Sequence, residues 1–430
     1  MFVHALLLVL GSRKGQAQPV PPIDPKLAAM YFQELQWASD QEGGKLWGVP
    51  LAGPIMFVEL GSRAIAANQA DGEGKLTLRD GVWVGKLPLE MFPANTAVDW
   101  AKKRWTMVVW NWLDSEYAER TRLLAHECFH RIQDDLGLPP GRERNAHLNH
   151  YEGRLWLRFE WRALESALTS DGKARDQAVR DALLFRAVRR LLVPGSAKQE
   201  DRMEMHEGLA EYTGLMLRGT ASHETRMYLA DEIHGRDAKG GSSLPTSFYY
   251  TTGPAYGLLL DAYKILWRKG LTPSNSLSDV LAVKTAFKVG GDVMREAQGR
   301  TRIYDGRTLV DQEHGIEKER VRRFTDVKKR FVDGPILTIH DLSLNFSYDP
   351  NDVFPVDEFG NFYNHLGLSG DWGYVDATKG ARLSADFQTA YLAVSPGASA
   401  DAGEGWTLHL NPDWKLVPGA RKGDWAIEKG

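Results

Sequence analysis

From Ser115 to about Arg330 apolar residues recur with helical spacing, and on both sides of that stretch the pattern breaks into short apolar runs divided by Gly, Pro, Asn and Asp. A helical block between two strand-rich blocks reads as an α+β chain: a small antiparallel sheet, then a mainly helical domain, then a small C-terminal β domain. At 430 residues the chain has room for two or three cores, at about 100 to 200 residues each. The expected segments are 18–112 for an N-terminal helix and sheet, 113–334 for the helical domain and 335–430 for the β domain.

Local signals fill in this outline. Asp24 can cap a helix with Pro25 at its first position, and the spacing predicts a helix from Asp24 to Asp40. Leu76-Thr77-Leu78 and Val82-Trp83-Val84 flank Asp80-Gly81, a pair that favours a type I′ hairpin. The last strand of the sheet is expected over Arg104–Trp112, running straight into a helix. Within the helical block we expect helices over Leu155–Leu168, Gln177–Leu192, Glu200–Leu217 and Leu258–Trp267, and a solvated, mixed-charge face around Lys318–Arg330. Past Pro335 the runs Ile336–Ile339, Ala390–Val394 and Trp406–Leu410 read as strands.

Composition narrows the function. Fifty-three basic against fifty-six acidic side chains leave no basic excess, so nucleic acid is not an expected partner. The single cysteine, Cys128, allows neither an intramolecular disulfide nor a cysteine-rich zinc module, so a zinc site must use His and carboxylates. No run of about 18 apolar residues predicts an integral membrane segment. Phe2–Leu10 followed by Gly15-Gln16-Ala17 fits a signal peptide over residues 1–17, which implies a secreted or periplasmic protein; without it the chain would be cytoplasmic.

The stretch that carries chemistry is Leu123-Leu124-Ala125-His126-Glu127-Cys128-Phe129-His130. It contains H-E-x-x-H, which on a helix projects His126 and His130 from one face so that both imidazoles reach one zinc ion, with Glu127 beside them to take a proton from water. Ala125, Phe129, Ile132 and Leu136 form a separate apolar stripe, and Gly137 with Pro139 ends the helix. A catalytic zinc needs a third protein ligand and an open position.

The third ligand is sought in Met205-His206-Glu207-Gly208-Leu209-Ala210-Glu211-Tyr212, and here the chain resembles the gluzincin metallopeptidases, the group that includes thermolysin and aminopeptidase N. Glu207-Gly208-Leu209-Ala210 is similar to the aminopeptidase string Glu-Gly-Phe-Ala, so the resemblance implies Glu207 as the third zinc ligand and Glu211, one turn on, as the acid that orients a zinc-bound histidine; the two glutamates can also exchange roles. Phe248-Tyr249-Tyr250-Thr251-Thr252-Gly253 resembles the segment in which the family places a catalytic tyrosine three residues before a helix-opening glycine, implying Tyr250, or alternatively Tyr249, as donor to an oxyanion. His206 points about 100° from Glu207 on an ideal helix and reads as a bystander. His147, His150 and Glu152 read as a polar helix start or as substrate-side or alternative ligands, and Trp105, Trp110 and Trp112 as core residues or cleft lining.

The resemblance spans roughly residues 100–270 and implies a zinc hydrolase acting on a peptide or protein substrate. Two features depart from it. His130 and Glu207 are 77 positions apart, more than in aminopeptidase N, and the Gly-Ala-Met-Glu-Asn string that recognises a free N-terminus is missing. The alternatives are an inactive zincin-like binding protein that uses its β domain for recognition, and a metal-free helical protein in which Glu207 lies far from the two histidines.

Overall fold

Asp24 accepts hydrogen bonds from the amides of Lys26 (2.9 Å) and Leu27 (3.4 Å), Pro25 takes the first helical position, and helix α1 runs Pro25–Glu42. The computed structural model describes residues 23–240, 244–288, 290–340, 345–348, 353–394, 402–403 and 405–430, so the signal peptide expected over residues 1–17 lies outside the described residues. They divide into two compact units, Met1–Glu313 and His314–Gly430.

The first unit opens with a six-stranded sheet of β1 (Ile55–Val58), β2 (Ala64–Ala67), β3 (Thr77–Arg79), β4 (Val82–Lys86), β5 (Thr96–Trp100) and β6 (Lys103–Val109), in spatial order β3-β4-β2-β1-β6-β5. The β3–β4 hairpin turns on Asp80 (φ 50°) and Gly81 (φ 83°), the left-handed pair a type I′ turn requires. Strand β1 runs parallel to β6, with Ile55 opposite Thr106, so the sheet is mixed where the sequence suggested an antiparallel one. The four strands between them return the chain to the same end of the sheet, and strand texture carries no direction. Strand β6 stops at Val109, and the expected last three residues, Trp110–Trp112, form a 3₁₀ turn.

Alternation along β1 sends Ile55 and Phe57 to one face of the sheet and Met56 and Val58 to the other. The first face packs against α1 through Tyr31, Phe32 and Leu35, and against helix α2 (Tyr117–Gln133) through Leu124 and Cys128. This packing fixes the helix that bears H-E-x-x-H. The other face buries Trp105 in the core, while Trp110 is half-buried and packs on Tyr31 and Phe57 at the core's edge.

The helical part follows: α3 (Tyr151–Thr169), α4 (Gly172–Leu192), α5 (Ser196–Met203), a π turn over Glu204–Gly208, α6 (Leu209–Leu217), α7 (Ser222–Ala238), α8 (Leu244–Ser247), α9 (Tyr249–Ala262), α10 (Leu277–Lys284), α11 (Val293–Thr301) and α12 (Gly306–Lys328). The boundary between the units falls within α12. The helix expected over Leu258–Trp267 begins at Tyr249 and ends at Ala262, so Gly253 and Pro254 lie inside it rather than opening it. Burial explains this: residues 249–260 are all buried, and packing overrides their poor helix propensity. Gly253 is required there because α9 crosses the π turn in backbone contact, and a Cβ on Gly253 would meet the Cα of Gly208 at 2.5 Å.

Beneath the apolar packing lies a buried ionic cluster. Arg186 on α4 binds Glu160 of α3 (2.7 Å) and forks onto Glu204 of the π turn. Arg189 binds Glu160 (2.6 Å) and Glu200 of α5 (2.6 Å), and Glu200 also meets His147 at 2.9 Å. The hydroxyls of Tyr256 and Thr252 on α9 donate to Glu160 (2.7 Å) and Glu204 (2.5 Å).

The second unit is a β sandwich. Among the described residues it holds a seven-stranded and a five-stranded sheet, and their inner faces share a core of Leu337, Leu383, Leu392, Leu368, Val375 and Trp406. The expected α+β organisation of sheet, helical middle and C-terminal β region is therefore what the chain adopts. Among the described residues no helix is long and apolar enough to cross a membrane.

Removing one partner of a buried ion pair leaves the other uncompensated, a loss of about 3–5 kcal/mol. Arg186→Met should therefore lower unfolding free energy by about that amount in urea titration; a change below about 1 kcal/mol, the ordinary range for an exposed pair, would show that the cluster does not hold the helices together.

Candidate metal centre

His126 and His130 lie one turn apart on α2, and the π turn brings Glu207 to them. Their Nε2 atoms are 3.2 Å apart, and Glu207 Oε2 lies 3.5 Å from the first and 3.6 Å from the second. Three donors on the corners of a tetrahedron around an ion with bonds of about 2.0–2.1 Å would be separated by about 3.3 Å. The observed triangle has those edges, and the group, two of its members buried and His130 nearly so, can hold a metal ion. The reading in which Glu207 lies far from the histidines fails on these distances.

Hydrogen bonds on the far side of each ring decide which nitrogen faces the triangle. Gln133 donates its amide nitrogen to the carbonyls of Met205 (3.1 Å) and His206 (3.2 Å), so its Oε1 faces His130 Nδ1 at 3.0 Å and accepts from it. Glu211 lies 3.1 Å from His126 Nδ1 and accepts from that ring in the same way. With both rings neutral, as metal ligation requires, their Nε2 atoms would present lone pairs to the triangle, beside a carboxylate oxygen. Three converging lone pairs repel unless a proton or a metal ion stands among them. The local field favours positive charge: burial disfavours charge on His126, but its bonds to Glu207 and Glu211 outweigh burial and lift its pKa to about 10, so at pH 7 a bound metal would displace a proton from this ring.

Glu211 is itself held in place. Arg122, one turn before His126 on α2, donates to its Oε1 and also binds Glu119 at 3.1 Å. Glu119 in turn accepts from Arg218 (2.7 Å) and from the Tyr228 hydroxyl (3.1 Å). Burial pushes the Glu211 carboxyl up, yet Arg122 and the His126 bond hold it at about 2. Of the two glutamates, Glu207 thus faces Nε2 and Glu211 faces Nδ1, which sorts the alternatives left open by the sequence.

Glu127 is buried at the same cavity, with its carboxyl raised by burial and only partly drawn back by His126 and His130. Among the described residues its Oε2 has no hydrogen-bond partner. The cavity, about 150 Å³, is bounded by Asn95, Thr96 and Ala97 on the β5 side and by Arg104, Asp134 and His206 elsewhere. At about 30 Å³ per molecule it has room for several waters. The Tyr250 hydroxyl donates to Glu207 Oε2 at 2.9 Å, and its ring centroid lies 5.9 Å from that of His126. Tyr249 stacks edge-on against Tyr250 and is buried in the core.

The remaining sequence candidates separate cleanly. His206 lines the cavity with its ring 4.9 Å from that of His130, closer to the chemistry than an ideal α-helix places it, because the wider π turn reduces the angle between successive side chains. Burial lowers its pKa to about 4, so the ring is neutral at pH 7. His147 belongs to the ionic cluster through Glu200, and Glu152 sits in the first turn of α3 and accepts from Trp156 at 3.2 Å. Neither these two nor His150 line the cavity. Trp112 borders a smaller adjoining cavity of about 30 Å³ with Arg122, Leu123 and Glu211.

Sequence reading missed Gln133 and Arg122, although both stand at helical spacing from the histidines, three after His130 and four before His126. It also missed Asn95, which anchors the start of β5 by accepting from the Val109 amide at 2.8 Å. No protein family, no curated protein and no solved structure matches the chain.

Outer hydrogen-bond partners of metal-binding histidines are worth about 10- to 100-fold in affinity. Gln133→Leu should weaken metal binding by about that factor in competition with a chromogenic chelator while the circular dichroism spectrum is retained; unchanged affinity would remove Gln133 from the site's construction.

Proposed function

We propose that the chain is a zinc-dependent hydrolase of gluzincin type, acting on peptide bonds. The observation that carries the reading is the pairing of a three-donor triangle with Glu127, a buried carboxylate that lines the same cavity and whose Oε2 has no partner among the described residues. A binding protein has no use for such a group, since an unpaired buried carboxylate costs stability. His126, His130 and Glu207 are the proposed zinc ligands; two imidazoles and a carboxylate with tetrahedral spacing suit zinc. A zinc ion held there would supply Lewis acidity and a bound water whose pKa falls to about 7.

The residues divide the rest of the work. Glu127 takes the proton of the attacking water at Oε2 and returns it to the leaving amine nitrogen, and its raised pKa suits both transfers. Glu211 and Gln133 hold the histidine rings with Nε2 inward. Tyr250, now donating to Glu207, places a hydroxyl beside the triangle that can turn to the oxygen of the scissile carbonyl.

Substrate geometry follows from the sheet. Strand β5 is an edge strand, paired on one side to β6, and its first residues line the cavity. An extended polypeptide can add to that edge through main-chain hydrogen bonds and so lie across the cavity. A peptide or protein substrate is the reading this supports.

Purified protein should contain about one zinc per chain by elemental mass spectrometry. Glu127→Gln should keep that zinc and lose about 10²- to 10⁴-fold in hydrolysis of a quenched fluorescent peptide library, the range typical of a lost general base. Undiminished turnover in the variant would sink the mechanism, and protein that takes up no zinc on reconstitution would sink the function.

A further inference from the structure

A second cavity, about 580 Å³, lies in the first unit between the segment after α1, the loop after α2 and the loop after α9, and shares no residue with the metal cavity. Its size is within the range of about 300–1,000 Å³ typical of small-molecule sites. Apolar side chains form its walls: Leu46, Leu138 and the indoles of Trp47 and Trp267, which meet edge to face at 6.3 Å. The walls are rigid. Trp47 also packs on Phe129 (4.9 Å) and donates to Thr213 (2.9 Å), while Trp267 packs on Tyr212 (5.2 Å) and donates to Asp261 (2.9 Å). At the mouth Leu266 is 97% exposed, an apolar side chain with nothing over it.

The charged side chains that line this groove have one sign, and the nearest carboxylate on the α1 side, Glu42, is turned to the amides of Gly44 and Leu46. Lys45, Arg268 and Lys269 line it, and no carboxylate does. Asp261 neutralises Arg268 through a 2.6 Å ion pair, so the surplus belongs to the two lysines. The Lys45 ammonium donates only to a helix-end carbonyl, Gln41, at 3.3 Å, and among the described residues neither lysine has an ion pair. Rigid apolar walls beneath two uncompensated ammonium groups suit a molecule with an apolar body and one anionic head.

We propose that this groove binds a monomeric single-chain aliphatic carboxylate, its chain against Trp47, Trp267 and Leu138 and its carboxylate between Lys45 and Lys269. An apolar cation would place like charge beside the lysines, and a small anion would leave the walls uncovered. Chain length then sets the affinity, by about fourfold for each buried methylene. The site stands apart from the metal centre, so its occupancy is read without reference to hydrolysis.

The test is a titration of the full chain's tryptophan emission with dodecanoate below its micelle concentration, in parallel with octanoate, dodecyltrimethylammonium and acetate. The proposal expects saturable binding of one dodecanoate per chain, at least tenfold tighter than octanoate or dodecyltrimethylammonium, and no response to acetate. The double variant Lys45→Glu/Lys269→Glu, at two exposed positions, should weaken dodecanoate at least tenfold and leave the circular dichroism spectrum unchanged. Equal binding of dodecyltrimethylammonium, or dodecanoate binding undiminished in the double variant, would overturn it. So would a response confined to anionic phospholipid vesicles, which would mark the patch as a membrane contact.

Discussion

The buried ionic cluster formed by Arg186 and Arg189 with Glu160, Glu200 and Glu204 is what the first unit is built around. It joins α3, α4, α5, the π turn and, through the Tyr256 and Thr252 hydroxyls, α9. Apolar contacts alone tolerate sliding, since one methylene packs about as well as the next. A guanidinium that must satisfy carboxylates on two or three different elements does not, because any shift leaves a charge buried without a partner. Glu204 and Glu207 share the π turn, so the register fixed by Arg186 is also the register of the metal-facing carboxylate. The close passage of Gly208 and Gly253 then fixes how near α9 comes, and with it the position of Tyr250.

From there the geometry passes outward in single hydrogen bonds. Arg218 and Tyr228 hold Glu119, Glu119 and Glu211 hold Arg122, and Glu211 turns the ring of His126. On the other side the carbonyls of the π turn orient Gln133, and Gln133 turns the ring of His130. The two histidines are therefore aligned from two independent directions, one from the surface of α2 and one from the π turn itself. Their convergence on a spacing of 3.2 Å is the product of both.

Much of this was legible in the sequence, and the parts that were not share a cause. Periodicity located α1, the H-E-x-x-H helix, the long pair α3 and α4 and the C-terminal strands, because each depends on local burial patterns. The type I′ hairpin at Asp80-Gly81 was readable because two left-handed residues leave little choice of side chain. Direction within the sheet was not, since β1 and β6 are paired by the path of the strands between them. Nor was the π turn: an inserted residue is held by contacts with α9 and α4, and no local string announces it. The start of α9 at Tyr249 was hidden because Gly253 and Pro254 argue against a helix that tertiary packing imposes. Among site residues, the motif named His126, Glu127 and His130, and a string match named Glu207 and Glu211; Gln133 and Arg122 were overlooked because glutamine and arginine at helical spacing are ordinary surface residues until a partner 70 or more positions away is known.

The cost of this arrangement explains the shape of the unit. Around the triangle the chain buries Glu127, Glu207, Glu211, His126 and Arg122, and behind it the further charges of the ionic cluster. Desolvating so many ionisable groups opposes folding. Two things offset that. One is the large apolar core in which the cluster is set, with Phe129, Trp156, Phe159, Trp161, Phe185 and Tyr212 packed around the charged groups. The other is any cation the triangle binds, because a ligand that binds only the folded state stabilises it by an amount that grows with the logarithm of its concentration relative to Kd. Fold and candidate metal site are in this sense one construction: the ionic cluster sets the register that makes the triangle, and a metal ion bound in the triangle would hold that register in return.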